Sequence, residues 1–362
     1  MKFELTSLEC YSFALVLSMK SLDRTVANAA FSRVCVIFPG ALGDFVCFLP
    51  TLQNLLRSAQ VDLYARSEFA EIVPAGVTVR SVESAEVSRL FVAGAFEDGQ
   101  LEDCFSEYEA VYSWTGSQQL DFVNQLQWVC QGRAKIFPFR PVGTIMHQAD
   151  YYLRCVSKQK FSASAPTILP RAEAVAWRKI FSTKHALSQR RILIVAPGSG
   201  AREKNWPEEF FLAVAEWWHE RMGGVAVLLL GPAEQESGGV DRLRQHCLVA
   251  GGLSLAQAVA LLDASDAFLG NDSGITHLAA ALGVPTVALF GPSDPRQWAP
   301  RGKTVSVVSR AIDCSPCTSV MMKSCPHRAC LTDLYPENVT ELIARLVTQG
   351  ESRYLDKVGV RD

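Results

Sequence analysis

The sequence predicts a parallel α/β protein built in two halves, each a sheet covered by helices. Three observations carry that prediction. Apolar, β-rich runs alternate with amphipathic helical stretches along the chain; several of the runs end abruptly at glycine or proline–glycine; and 362 residues are enough to bury two cores. Seven strands are legible: Arg33–Phe38, Val61–Ala65, Glu109–Trp114, Arg191–Ala196, Val225–Leu230, Asp266–Gly270 and Thr286–Phe290. Between them Phe45, Val46, Phe48, Leu49, Leu52, Leu55 and Leu56 fall at helical spacing, with Pro50 required early in that helix or at a kink. Further helices are read at Glu208–Glu220, at Ser254–Asp263 with Ser254 as N-cap, at Ile275–Leu282 stopped by Gly283, and from Pro336 to about Thr348.

The stretch from Ser157 to about Gln189 has weak periodicity and two prolines, and reads as the connection. The expected organisation is an N-terminal extension over 1–30, a first domain over 31–165, a linker over 166–190, a second domain over 191–348 and a tail over 349–362. The apolar run Tyr11–Met19 is too short to span a bilayer and lacks the flanks of a signal peptide, and no later segment is a transmembrane candidate.

Composition excludes some function classes. With 35 basic against 37 acidic residues the net charge is −2, so nucleic acid is a poor partner, and an anionic ligand must be held by local groups. Of eleven cysteines, seven are scattered among apolar residues, which suits buried reduced thiols and a cytoplasmic location. The others, Cys314, Cys317, Cys325 and Cys330, cluster late. Their spacing leaves structural zinc open beside reduced thiols or a redox-sensitive pair.

In parallel α/β sheets, ligands bind beyond the carboxyl ends of the strands. Four turns there carry unusual residues. In Phe38-Pro-Gly-Ala-Leu-Gly-Asp44, Gly40 and Gly43 allow close backbone approach and Asp44 stands at a helix start, where it could also be a plain cap. In Ala196-Pro-Gly-Ser-Gly-Ala-Arg-Glu-Lys-Asn-Trp-Pro207, the turn at Ser199 and Gly200 followed by Lys204 suits a phosphate, or is a polar surface loop. In Leu230-Gly-Pro-Ala-Glu234, the Glu234 carboxylate matches a ribose diol, or is solvated in a helical first turn. The richest is Gly270-Asn-Asp-Ser-Gly-Ile-Thr-His277. There Asp272 or Ser273 can cap, Gly274 exposes backbone N–H groups, and Thr276 and His277 lie in the first turn, an anion site more than a bare cap.

On these residues the chain resembles the heptosyltransferases of lipopolysaccharide core assembly, glycosyltransferase family 9. The resemblance rests on Gly40–Asp44, on Pro197-Gly-Ser-Gly with Lys204-Asn-Trp-Pro207, on Gly270–Pro285, on Leu289-Phe-Gly-Pro-Ser-Asp-Pro295, and on the late cysteine loop; it is thin between about 66 and 190. It implies a GT-B fold, two facing Rossmann-like domains with parallel sheets and a terminal helix packing back on the first. It implies an inverting transfer without metal or other cofactor, of a heptose from ADP-heptose to a lipid-linked saccharide at the inner face of the inner membrane. Asp44 would be the base; Lys204 and Asp272–His277 would hold the diphosphate, and Glu234 the ribose. Another nucleotide sugar, a sugar-nucleotide epimerisation, or a non-catalytic nucleotide-binding assembly protein are the alternatives.

Overall fold

The computed structural model describes residues 32–358 except 96–98, 158–161, 232–233 and 235–238, with side chains to 349. The expected extension over 1–30 and the last residues of the expected tail lie outside the described residues.

The first sheet contains β1 (Ser32–Ile37), β2 (Ala59–Ala65), β3 (Val77–Ser81), β4 (Ala110–Ser113) and β5 (Ala134–Ile136) in the order β3-β2-β1-β4-β5, all pairs parallel. The second contains β6 (Ile192–Ala196), β7 (Val225–Leu230), β8 (Leu248–Gly251), β9 (Ala267–Asn271), β10 (Thr286–Phe290) and β11 (Val305–Ser309) in the order β11-β10-β9-β6-β7-β8, again all parallel. In both sheets the order reverses beside the first strand of the half, at β1 and β6, which opens a crevice beyond their carboxyl ends.

The seven strands read from the sequence are the seven interior strands, and the structure adds the four edges β3, β5, β8 and β11. Interior strands are covered on both faces and must be apolar at nearly every position, as β6 and β10 are. The edge strands β3 and β11 are half-exposed and β5 is three residues long, so they leave no continuous apolar run.

Helix α1 (Leu42–Leu55) follows β1 and buries Phe45, Phe48, Leu49, Leu52 and Leu55. Pro50 lies in its interior rather than early; it has no N–H to offer the preceding turn, and its ring is buried with its neighbours. Helix α2 (Gln148–Val156) packs on α1, placing Tyr152 edge-on to Phe38, Phe48 and Trp114.

The expected linker over 166–190 carries helix α3 (Ala172–Lys184). Only Ala174 is buried along it, so the sequence shows little helical periodicity there. In the second half, helix α4 (Glu208–Met222) ends at Gly223 in the left-handed region. Helix α5 (Leu255–Asp263) starts with a capping box between Ser254 and Gln257. Helix α6 (Gly274–Leu282) stops at Gly283, whose φ is +81°.

The last helix, α7 (Pro336–Val358), runs about three turns beyond the expected end near Thr348. It packs on α4 and on β9, β10 and β11, so among the described residues its main packing is on the second half, where the family resemblance implies a helix packing back on the first. The reason is its apolar face: Val339, Ile343, Leu346 and Val347 complete the core formed by Phe211, Val214, Leu289 and Leu331.

The halves are bound closely. One apolar cluster runs from Val34, Phe45 and Tyr152 to Leu261, Leu278 and Ala279. Three polar contacts reinforce it. The Arg301 guanidinium makes two bonds to the Asp150 carboxylate, at 2.8 and 2.7 Å. His147 Nε2 donates to the Ala299 carbonyl at 2.8 Å, and the Glu71 carboxylate accepts the Ala256 N–H at the start of α5 at 2.5 Å.

Candidate active site

The four turns singled out in the sequence follow β1, β6, β7 and β9. On the first-half side, Gly40 has no room for a side chain: a Cβ there would lie 2.8 Å from Asp44 Cβ and would run into the Phe38 ring. Asp44 is in the first turn of α1, but the N-cap position is Ala41, so the carboxylate is not a cap. Instead Asp44 Oδ1 accepts from Arg140 Nη1 at 2.7 Å. The same nitrogen donates to the Tyr152 hydroxyl at 3.1 Å. Burial raises the Tyr152 pKa, which keeps that phenol neutral.

On the second-half side, Asn271 organises the turns. Fully buried, it donates through Nδ2 to the Pro197 carbonyl at 2.6 Å and accepts the Trp206 N–H at 3.0 Å, tying both ends of the Pro197–Trp206 loop to β9. Within that loop Ser199 Oγ lies 2.6 Å from Asn205 Oδ1 and 2.7 Å from the Ala201 carbonyl, and Gly200 faces open space. Lys204 Nζ pairs with Asp272 Oδ2 at 2.8 Å; the carboxylate side chain is 9% exposed and the lysine 28%. The Glu234 carboxylate accepts the Gly231 N–H at 3.0 Å and occupies the space beside Gly198, so a side chain at Gly198 would collide with it. Glu234 thus stands where the turns after β6 and β7 meet.

The start of α6 differs in detail from the expectation that Asp272 or Ser273 caps it. Ser273 holds the N-cap position, yet neither side chain caps the helix, because Asp272 is drawn to Lys204 and Ser273 Oγ lies 3.0 Å from Thr276 Oγ1. Thr276 Oγ1 in turn donates to the Asn271 carbonyl at 2.5 Å. His277 is 4% exposed, with Nδ1 3.7 Å from Cys47 Sγ on α1. Burial lowers the His277 pKa to about 4, against the pull of Asp272, and burial pushes the Cys47 thiol up to about 12. At neutral pH this is an uncharged imidazole beside an uncharged thiol, the reverse of an activated cysteine nucleophile.

The two sides touch at two glycines. A Cβ on Gly274 would lie 2.7 Å from Leu42 Cβ and 2.8 Å from the Gly43 nitrogen. Gly274 therefore permits backbone contact with Gly43 of the other half, which brings the turn carrying Asp44, one residue after Gly43, to the start of α6. The structure brings the Gly40–Asp44 turn and the Asp272–His277 turn together, with Lys204 joined to the latter.

Two residues of this region went unread in the sequence. Arg140 lies in the loop after β5, its guanidinium packed on the rings of Phe139 and Trp298, 4.3 and 4.5 Å from their centroids. Trp298 comes from the second half. Neither belongs to a glycine-rich turn, and their pairing depends on the halves meeting.

The late cysteines are free thiols on the loop after β11. Burial pushes Cys330 up to about 11, and Cys325 Sγ accepts the Arg328 N–H at 3.4 Å. Among the described residues no three His, Cys, Asp or Glu side chains are grouped to hold a metal ion. The loop braces the site from outside: the Arg328 guanidinium bonds the Asn205 carbonyl, and Trp206 Nε1 donates to the Leu334 carbonyl at 2.9 Å.

With this geometry in place, residues 146–326 match the family model for glycosyltransferase family 9 (heptosyltransferase). The chain belongs to glycosyltransferase family 9. Lipooligosaccharide heptosyltransferase 2 of Haemophilus influenzae is 31% identical over 151 residues, 39% of this chain and 43% of that protein. Lipopolysaccharide heptosyltransferase 1 of Pseudomonas aeruginosa is 31% identical over 175 residues, 43% of this chain and 48% of its own length. The matched segments thus span about half the length of these curated relatives. In fold, the chain is similar to a family 9 glycosyl transferase from Veillonella parvula, with a TM-score of 0.69, 20% identity and coverage of 88% and 98% of the two chains. It is also similar to the E. coli ADP-heptose lps heptosyltransferase II, with a TM-score of 0.64, 19% identity and coverage of 88% and 99%. The two parallel sheets are the GT-B arrangement of these family 9 structures.

Proposed function

We propose that this protein is an inverting glycosyltransferase that moves a heptose from ADP-heptose to a lipopolysaccharide-core-like saccharide. The observation that supports this reading is the contact of the Gly43–Asp44 turn with the start of α6, a helix N-terminus of the kind that suits an anion. The named relatives are lipooligosaccharide and lipopolysaccharide heptosyltransferases, and an E. coli heptosyltransferase of this fold has been described with ADP, which supports the choice of donor.

In this mechanism the donor lies along the carboxyl ends of β6, β7 and β9. Glu234 takes the ribose diol, and the turn at Ser199 and Gly200 approaches the diphosphate. Lys204, Asp272, Ser273, Gly274, Thr276 and His277 form the wall of the diphosphate site. The acceptor hydroxyl attacks the anomeric carbon from the side opposite the diphosphate. A new carbon–oxygen bond forms as the bond to the β-phosphate oxygen breaks, the electron pair leaves with ADP, and Asp44 receives the hydroxyl proton. The departing charge is neutralised by Lys204 and the N-terminal dipole of α6, so the step needs no metal ion. Thr276 and Asn271 set the backbone at that helix start, while neutral His277 fills the space behind it without repelling Lys204.

Such an acceptor is lipid-linked, and the reading places the enzyme in the cytoplasm at the inner face of the inner membrane. Among the described residues no helix is long and apolar enough to cross a membrane. The test is transfer by purified protein from a panel of nucleotide sugars, with EDTA present, to core saccharides truncated at successive sugars. The expected product is a heptose adduct formed from ADP-heptose alone. Turnover with a different nucleotide sugar would move the donor assignment, and tight ADP-sugar binding without turnover on any acceptor would favour a nucleotide-binding assembly protein.

A further inference from the structure

Between the Asp44 turn and the second half lies a seam that the transfer mechanism has not used. Over a few residues, the segment Trp298–Arg301 meets the segment Arg140–Asp150 at three successive points. Trp298 stacks on Arg140, the Ala299 carbonyl accepts from His147 at 2.8 Å, and Arg301 pairs with Asp150 at 2.7 Å. Burial lowers the His147 pKa, consistent with a neutral ring that accepts the Ala149 N–H on Nδ1 and donates from Nε2. The seam is therefore a directional contact, and an opened cleft must part it.

Arg140 is the member nearest the chemistry. Its side chain is 43% exposed, whereas that of Asp44 is 13% exposed. A half-exposed arginine would ordinarily sample many rotamers and contribute little to a fixed geometry. Here the guanidinium packs on the rings of both Phe139 and Trp298, contacts that restrict where the planar group can lie. Its Nη1 then lies on Asp44 Oδ1, and among the described residues no other group bonds that carboxylate. Trp298 is itself fixed, since the short helix Pro295–Trp298 is capped by the largely buried Asp294, which accepts the Arg296 N–H at 2.9 Å.

We propose that Arg140 is a positioning residue of the transfer site: clamped by Trp298 of the second half, it holds the Asp44 carboxylate through Oδ1 and turns Oδ2 to the acceptor hydroxyl. The proposal rests on the reading of Asp44 as base. It has a consequence that a base alone would not have. When the halves separate, Arg140 loses one of its two rings and Asp44 loses its fixed orientation, so the base is ready only when the cleft is closed.

The experiment compares Asp44→Asn, Arg140→Ala, Arg140→Lys and Trp298→Leu for transfer, ADP affinity by calorimetry and thermal unfolding. Arg140→Ala should lower kcat by about 10–100-fold, the scale of a misplaced reacting group, with ADP affinity within about twofold of the parent. Guanidinium chloride at millimolar concentration should restore part of that kcat in Arg140→Ala and none in Asp44→Asn. Arg140→Lys keeps the charge but loses the planar fork and the stack, and should fall between the parent and Arg140→Ala. Trp298→Leu should lower kcat by about 3–10-fold with ADP affinity unchanged; because it leaves the Arg140–Asp44 pair in place, it keeps the test available if Arg140→Ala folds poorly. Parental kcat in both Arg140→Ala and Trp298→Leu would overturn the proposal, as would losses of kcat and ADP affinity in equal measure without rescue. If Asp44→Asn is inactive while the Arg140 and Trp298 variants are fully active, this inference alone fails. If Asp44→Asn remains active, the reading of Asp44 itself fails.

Discussion

Gly274→Ala tests the contact on which the site depends. The added Cβ would lie 2.7 Å from Leu42 Cβ and 2.8 Å from the Gly43 nitrogen. Ordinary contact begins near 3.4 Å, so the two turns must part by about 0.6 Å or more. Neither obstacle can rotate away, because one is backbone and the other a β carbon. Overpacking of this kind costs about 1–3 kcal/mol, and the better helix propensity of alanine returns about 0.5–1 kcal/mol. The net expected destabilisation is about 0–2.5 kcal/mol, read as a lower urea midpoint at unchanged slope. Asp44 follows Gly43 directly and would move with it, so kcat should fall by about 10–100-fold. ADP affinity should change less, because Lys204 and Glu234 are anchored to the other strands of the second sheet. A Gly274→Ala protein with parental stability and kcat would show that the halves do not meet at these glycines in the working enzyme.

His277 gives a pH prediction with a definite sign. Its folded pKa lies at about 4, below the ordinary 6.5, so between those values the unfolded chain binds the extra proton. The contribution of His277 to stability is therefore complete above about pH 6.5 and is lost as pH falls toward 4, by about 3 kcal/mol in all. Urea titrations of the parent and His277→Gln from pH 7 to 4 should show their stability difference shift by that amount against the parent; a pH-independent difference would contradict it. Lys204→Met should weaken ADP binding by about 10–100-fold, since it removes the cation and strands the nearly buried Asp272 carboxylate, and unchanged ADP affinity by calorimetry would remove Lys204 from the donor site. Arg301→Met leaves Asp150 without its bidentate partner between the halves and should cost about 2–4 kcal/mol by urea unfolding, whereas a change below about 0.5 kcal/mol would mean the seam contributes no stability.

The parts of this molecule legible in its sequence are those where burial is complete on both faces. Val34–Ile37, Ile192–Ala196 and Thr286–Phe290 are apolar because helices cover both sides of their sheets, and such runs leave little choice of structure. The edges β3 and β11 alternate or stay half-exposed, and β5 and β8 are only three and four residues long, so all four edges went unread. Helix α3 escaped for a related reason, since almost none of it is buried. The turns of the site were legible because close backbone approach demands glycine: Gly40, Gly198 and Gly274 each stand where a side chain would collide with a neighbour. Their internal bonding was not. Asn271 reads as one polar residue among several, yet it ties two loops to β9. Arg140 reaches Asp44 across 96 positions of sequence, and Trp298 reaches Arg140 only when the halves come together. Contacts between halves depend on how two separately formed cores dock, and no local periodicity encodes that.

If Asp44 serves transfer while the second half binds the donor by itself, loss of the carboxylate separates turnover from donor binding. The direct measurement is heptose transfer from ADP-heptose by Asp44→Asn, paired with ADP-heptose affinity by calorimetry on the same preparation. The expected result is a loss of turnover of at least about 10²-fold with affinity within about threefold of the parent. Near-parental turnover, or loss of donor binding in step with turnover, would contradict it.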